Sequence, residues 1–350
     1  MPFVRVQPGD ADAIRALTDL YNAARPVDDP DSPPAIAELV AADVEFGWDM
    51  HPATHYLYNS ADDADPIGAL AVDMPIYDNR QVVWAEITVH PDHRRRGHGT
   101  MIMNEVLRLA KEAGRTIIWV GTASDDPGAI AFTEKFGFRY ASHDARRRQQ
   151  LTDVDQEEVG RLYDEAREAA HDYRLERLAP PVPDEVLAEL IEVTAAINDA
   201  PTGDLTWEEE VFNLERLRDI ETARLKRGDS MYRVVARHKE TGEAGGHTWV
   251  FCNPLQPTLG GQGDTAVART HRGHRLGLLL KIDMMRWLAD EQPQLEIIET
   301  WNNADNAHMI KVNEAIGYRL SRVFNMYELK LESAPPTQPR DRATQPAAAS

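Results

Sequence analysis

The stretch Val89-His90-Pro91-Asp92-His93-Arg94-Arg95-Arg96-Gly97-His98-Gly99-Thr100 decides the fold. Ahead of it, 82–89 is an apolar, β-rich run. Behind it Ile102, Val106, Leu109 and Ala113 recur at helical spacing before Gly114. A strand that turns through a basic, glycine-containing loop into a helix gathers backbone amides at the helix start, where the macrodipole favours negative charge. Gly97 and Gly99 allow close approach of backbone to a pyrophosphate, and Arg94, Arg95 and Arg96 add cationic reach. The pattern predicts an anion site of the diphosphate kind.

The passage recurs. Asp264-Thr265-Ala266-Val267 leads to Arg272-Gly273-His274-Arg275-Leu276-Gly277, and Ala315-Ile316-Gly317-Tyr318 answers Lys135-Phe136-Gly137-Phe138. The copies stand roughly 180 residues apart, a spacing that signals duplication of a whole unit. Each unit reads as alternating strands, the loop, an amphipathic helix, a second β-rich run at 116–120 or 295–301, and a short helix ending at glycine. Stretches 67–72 and 82–89 precede the first loop, 232–237 and 246–251 the second, with Lys239-Glu240-Thr241-Gly242 as a hairpin turn. The helix after the second loop has the thicker apolar face, through Leu278, Leu279, Ile282, Met285 and Leu288.

Two domains are expected, 1–150 and 151–331. A strand at 146–151 and a capped helix start at 152–157 mark the boundary. The second unit has the longer entry, with helices predicted at 184–198 and 206–227, the latter opened by a Thr206/Glu209 capping box. Beyond Leu331 no aliphatic residue larger than alanine occurs, so 332–350 is expected to be a disordered tail.

Composition narrows the class. With 42% apolar and 27% charged residues, and no long uncharged apolar run, a membrane span is not expected. Residues 1–6 show no basic and apolar leader, which points to the cytoplasm. The net charge of -20 argues against nucleic acid as partner and suits a cationic small molecule. Cys252 stands alone, so it reads as a small strand residue rather than a disulfide, redox or zinc position. The histidine pairs His51/His55, His90/His93 and His271/His274 lack a third ligand of matching context, and no metal is expected.

On these residues the chain resembles the GNAT superfamily of acyl-CoA-dependent N-acyltransferases, whose [QR]xxGx[GA] loop grips the pyrophosphate of coenzyme A. The duplication, with Thr300-Trp301-Asn302, resembles the actinobacterial double-domain group typified by mycothiol synthase. The resemblance spans about 3–331. It implies an α/β (α+β) chain of two tandem GNAT folds, each a mixed twisted sheet flanked by helices and splayed to take the acyl-CoA. It assigns the cofactor loop to Val89, Arg94, Arg95, Arg96, Gly97, His98, Gly99 and Thr100 in the first copy. In the second copy it assigns Val267, Arg272, Gly273, His274, Arg275, Leu276 and Gly277, with Arg275 where the first glycine belongs.

Asp126 and Asn306 match positions that often turn a polar group toward the cofactor, and each reads equally well as a helix cap. Where the family often has a tyrosine beside the departing thiolate, this chain has Thr133 and Asn313. The positions of the candidate bases fall on Glu86 and Asp264, three residues before Val89 and Val267, with His247 a weaker third. Glu86 reads otherwise as a solvent-facing strand residue and Asp264 as a turn residue. The implied activity is N-acyl transfer, in its simplest form acetyl from acetyl-CoA to a primary amine of a small polar metabolite. The first copy would be the tighter cofactor holder and the second the catalytic one. The alternatives are an acyl-CoA-binding module with one or both halves non-catalytic, and a protein N-terminal acetyltransferase.

Overall fold

In the computed structural model, which describes residues 2–60 and 65–332, the first half runs β1 (Phe3–Arg5), α1 (Ala11–Asp28), α2 (Ala37–Phe46), β2 (Thr54–Tyr58), β3 (Gly68–Asp73) and β4 (Val82–Val89). It continues through α3 (His98–Glu112), β5 (Ile117–Ala123), α4 (Pro127–Lys135) and β6 (Arg139–Gln150). The second half repeats the order with α5 (Gln156–Ala169), β7 (Tyr173–Leu178), α6 (Asp184–Glu189), α7 (Ile191–Ala195), α8 (Leu214–Lys226), β8 (Ser230–His238), β9 (Ala244–Cys252) and β10 (Leu259–Val267). It ends with α9 (Leu276–Glu291), β11 (Ile297–Asn303), α10 (Ala307–Ala315) and β12 (Tyr318–Lys330). The tail assigned to 332–350 lies outside the described residues, apart from Glu332.

Among the described residues, twelve strands join one sheet in the order β1-β2-β3-β4-β5-β12-β6-β11-β10-β9-β8-β7. The two units are therefore stitched by exchange. β12, from the second half, pairs antiparallel with β5, and β6, from the first half, pairs antiparallel with β11. Between them β6 and β12 run side by side, from Tyr318 opposite Gln149 to Glu328 opposite Arg139. Each half supplies the strand that closes the other's sheet.

Alternation along the strands sets two faces. Val83 and Ala85 of β4 pack with Ile102 and Val106 of α3, while Trp84 gathers with Trp119 and Trp207 on the opposite side. In the second half Val250 and Cys252 pack on Leu279 and Leu280 of α9, whereas Trp249 and Phe251 lie on the α8 side with Ile220. Cys252 is buried there, and burial pushes its thiol up to about 12, so it is a packing residue and a poor nucleophile.

Two expectations change. The helix predicted from 206 begins only at Leu214, capped by Asn213, whose side chain accepts from the Arg216 amide. Thr206 makes no capping box. Its amide and hydroxyl donate to the Glu328 carboxylate, at 2.7 and 2.8 Å, and Glu208 exchanges bonds with Asn79. These long-range partners hold 206–213 extended against the first half, and tertiary bonds override local propensity. The helix predicted over 184–198 is broken into α6, α7 and a 3-10 turn at Ala196–Asp199.

Candidate active site

Both loops between strand and helix adopt one backbone path. The second and fourth loop residues are left-handed in each: Arg95 (φ 64°) and Gly97 (φ 94°), then Gly273 (φ 90°) and Arg275 (φ 55°). Glycine and arginine trade places while the conformation stays. Gly97 and Arg275 become the N-caps of α3 and α9, whose first amides have no partner within the helix and face outward as anion donors. Arg275 meets its left-handed backbone with its side chain turned away, Nη1 donating to Glu165 on α5 at 2.7 Å.

The opening arginines are held fast. Arg94 Nε donates to the Val89 carbonyl at 3.0 Å and its fork grips both oxygens of Asp28 at 2.7 Å. Arg272 Nε donates to the Val267 carbonyl at 3.2 Å and its Nη2 pairs with Asp199. These guanidiniums tie the loop to the strand end and to the entry helices, leaving exposed Arg95 and Arg96 as the cations that face outward in the first loop. Asp126 caps α4 by accepting from the Gly128 and Ala129 amides, and Asn306 caps α10 by accepting from Met309. The capping reading of both residues is thus realised in the structure.

Beside each loop the sheet opens. β4 and β5 pair in parallel only from Val82 opposite Ile117 to Trp84 opposite Trp119, and β10 and β11 only from Leu259 opposite Ile297 to Gly261 opposite Glu299. Past those points the strands part. In the second half β10 carries a bulge between Gln262 and Thr265, which places Asp264 on irregular strand rather than in a turn. Gly263 is required there, since a β-carbon would fall 2.1 Å from the Trp249 ring.

A cavity of about 360 Å³ fills this second opening. Asn306 and Met309 at the start of α10, Asp264, Thr300 and Lys281, and Ala200, Pro201, Thr202 and Leu205 line it. Burial raises the Asp264 carboxyl, opposed by Arg233 and by a hydrogen bond with Trp249. Glu210, across the cavity, is pushed up to about 7 by burial, with Asp264 and Asp78 adding to the rise and Arg216 opposing it. His247 is buried off the cavity. It accepts from Arg233 Nη1 at 2.8 Å, and burial holds it well below its ordinary pKa, so it is a neutral structural group.

A second cavity, of about 450 Å³, lies on the α2 side of the first half. The carboxylates of Asp43, Asp49, Asp73 and Glu86 and the rings of Trp84 and Trp119 line it. Glu86 is deep in this cleft but reached by water within it. Burial raises its carboxyl, and Asp43 and Asp73 raise it further. Trp84, Trp207 and Glu210 line both cavities, so the two share a wall.

Neither residue at the tyrosine position is an acid that could protonate a thiolate. Thr133 Oγ1 donates to the Ile130 carbonyl at 2.8 Å, and Asn313 Nδ2 to Asn302 Oδ1 at 2.8 Å. Two titratable groups were missed in the sequence. Glu210 falls in a segment read as helix. Lys281 carried a visible signal, a lone cation three residues after Leu278 and four before Met285 on the apolar face of its helix. Among the described residues no group of three or more His, Cys, Asp or Glu could hold a metal ion, and no helix is long and apolar enough to cross a membrane.

Comparison with known proteins gives the class. Residues 14–138 match the acetyltransferase (GNAT) family. A mycothiol acetyltransferase of Saccharomonospora viridis is 29% identical over 245 residues, 68% of this chain and 71% of that one. An uncharacterised N-acetyltransferase of Methanocaldococcus jannaschii is 35% identical over 99 residues, 27% of this chain and 43% of that one. A solved tandem GNAT protein from the clavulanic acid biosynthesis pathway shares the fold with a TM-score of 0.77 at 24% identity, over 95% of this chain and 98% of that one. The duplicated fold is a tandem GNAT fold. The matched stretch is a GNAT acetyltransferase domain, and the named relatives indicate an N-acetyltransferase.

Proposed function

We propose that the protein moves an acetyl group from acetyl-CoA to the primary amine of a small polar molecule, with the carboxy-terminal half performing the chemistry and the amino-terminal half holding the cofactor more tightly. The observation that carries this reading is the cavity through the parted β10 and β11, which reaches from the start of α10 to the segment before Trp207. A thioester entering from the loop side meets an amine entering from the other. The cavity of the first half is lined by β4 and the end of α2 together with Trp207, Glu210 and Arg216. The carboxylates of the reaction cavity, Asp144, Glu210 and Asp264, support an acceptor that carries positive charge.

In the reaction the amine, deprotonated, attacks the thioester carbonyl. Asp264, or Glu210 of the same cavity, takes the amine's proton through water, and the C–S bond breaks to release coenzyme A. The bulge at 262–265 frees backbone from the ladder, and an amide so released polarises the carbonyl oxygen. The reading sets the reaction in the cytoplasm, a compartment that keeps a lone thiol such as Cys252 reduced. Mass spectrometry of the purified protein incubated with acetyl-CoA and a metabolite extract tests it. An acetylated amine is expected; consumption of acetyl-CoA without an acetylated amine would overturn the acceptor class.

A further inference from the structure

Lys281 is 2% exposed on α9. Its Nζ donates to Gln262 Oε1 at 3.0 Å and stands 4.8 Å from the centre of the Tyr318 ring. Gln262 is itself fixed, donating to Thr248 Oγ1 at 2.9 Å and to the Trp249 carbonyl at 2.7 Å, so its oxygen is aimed at the lysine. No carboxylate pairs with Lys281 among the described residues, and burial alone brings its pKa down to about 7. The fold does not demand a cation there. Four residues after Gly99, as Lys281 is four after Gly277, the first half has buried Met103.

The surroundings say what the cation is for. Lys281 and Asp264 line one cavity from opposite faces of the sheet: the lysine from α9, the aspartate from the Trp249 side. When an amine displaces a thiolate at a carbonyl, the incoming nitrogen needs a base and the departing sulfur needs a proton or a counter-charge. At the usual acid position Thr133 has committed its hydroxyl hydrogen to the Ile130 carbonyl, and the Asn313 amide, which gives one of its two hydrogens to Asn302, is not an acid able to protonate a thiolate.

The geometry points to Lys281 as the proton donor to the coenzyme A sulfur in the carboxy-terminal site, an inference that rests on the acetyl-transfer reading above. The N–C bond forms, the C–S bond breaks with its electron pair going to sulfur, and the Lys281 ammonium gives that sulfur its proton. The amine's proton leaves through Asp264 to water, and Lys281 is reprotonated from solvent after the thiol departs. An acid whose pKa is near neutrality suits a thiol of about 8.5. The other titratable groups facing this space are Asp144, Glu210 and Asp264 in the cavity and Tyr318 over the ammonium, while Asp283 of the same helix is paired with Arg177.

Lys281→Met, which copies the first half, tests the assignment with free coenzyme A and with its analogue lacking sulfur. The analogue should bind wild type and variant equally, which establishes that the variant is folded. Because the ammonium hands its proton to the sulfur, acetyl transfer in the wild type should show a solvent isotope effect that reports this proton donation, and Lys281→Met should lose it. With an identified acceptor, kcat should fall by about 10²-fold at unchanged KM for acetyl-CoA, and the decline of wild-type kcat above pH about 7 should vanish. An unchanged kcat, pH profile and solvent isotope effect in Lys281→Met would overturn the role of Lys281. Failure of the wild type to bind coenzyme A would overturn the acetyl-transfer reading itself.

Discussion

Trp207 lies flat on Trp119, the ring centres 5.4 Å apart and the planes 5° from parallel. The first ring belongs to the extended segment before α8 and the second to β5, so the contact fastens the second half's entry region over the opening in the first half's sheet. Trp207 also lines both cavities and, with Trp84 and Glu210, forms the wall they share.

Replacing Trp207 by alanine should therefore act twice. Loss of the stacked ring should lower stability by about 2 kcal/mol, read as a shift in the denaturant midpoint. Joining the cavities should raise KM for the acceptor more than it lowers kcat. An unchanged midpoint would show that the ring pair contributes nothing to the fold.

Gly97 should tolerate no β-branched residue. A β-carbon there meets no protein atom within 4 Å, so the penalty comes from its φ of 94° and from the closeness of a phosphate to the backbone. Calorimetry with acetyl-CoA should show one binding event fewer in Gly97→Val. An unaltered titration would remove the first loop from the cofactor site.

The division of labour can be read by comparing Asp264→Asn with Glu86→Gln. The first should cost turnover about 10²-fold and the second much less, since Asp264 borders the cavity through the parted strands while Glu86 borders the one beside them. If Glu86→Gln alone abolishes turnover, the chemistry belongs to the amino-terminal half.

Stability should depend on pH in two windows of opposite slope. Glu210 has its carboxyl raised to about 7, so the unfolded chain loses that proton first and stability falls as pH rises from about 4.5 to 7. Lys281 has its pKa lowered to about 7, so above that pH the unfolded chain holds more protons and stability rises toward pH 10. Melts of Lys281→Met should lack the rise at high pH and show greater stability than wild type at pH 6. A parallel profile in both proteins would contradict the burial of an unpaired ammonium.

What the sequence displayed was local. The loops at 94–99 and 272–277, their helices and the β-rich runs beside them follow from spacing within a few residues, and the structure contains them. What it hid depends on distant partners. Glu328 takes the hydrogens of Thr206 from across the chain, converting an expected helix into extended backbone. Arg94 and Arg272, read as phosphate ligands, are turned by Asp28 and Asp199 into braces for the loop. Lys281 was legible as a charge on an apolar face, but only the cavity beside it gives that charge a purpose. The crossing of β6 and β12 was beyond pattern reading, because two similar sheets offer each last strand two similar berths.

That crossing also governs how the protein comes into being. As the chain is synthesised, β1 to β5 emerge with the edge of β5 bare, and the strand that covers it ends only at Lys330. Until then the edge of β5 lies open to the similar β6, whose place in the finished sheet is between β12 and β11. A gene fragment encoding either half alone would yield a sheet with an open seam, prone to pair with its neighbours, and activity should return only when both fragments are produced together.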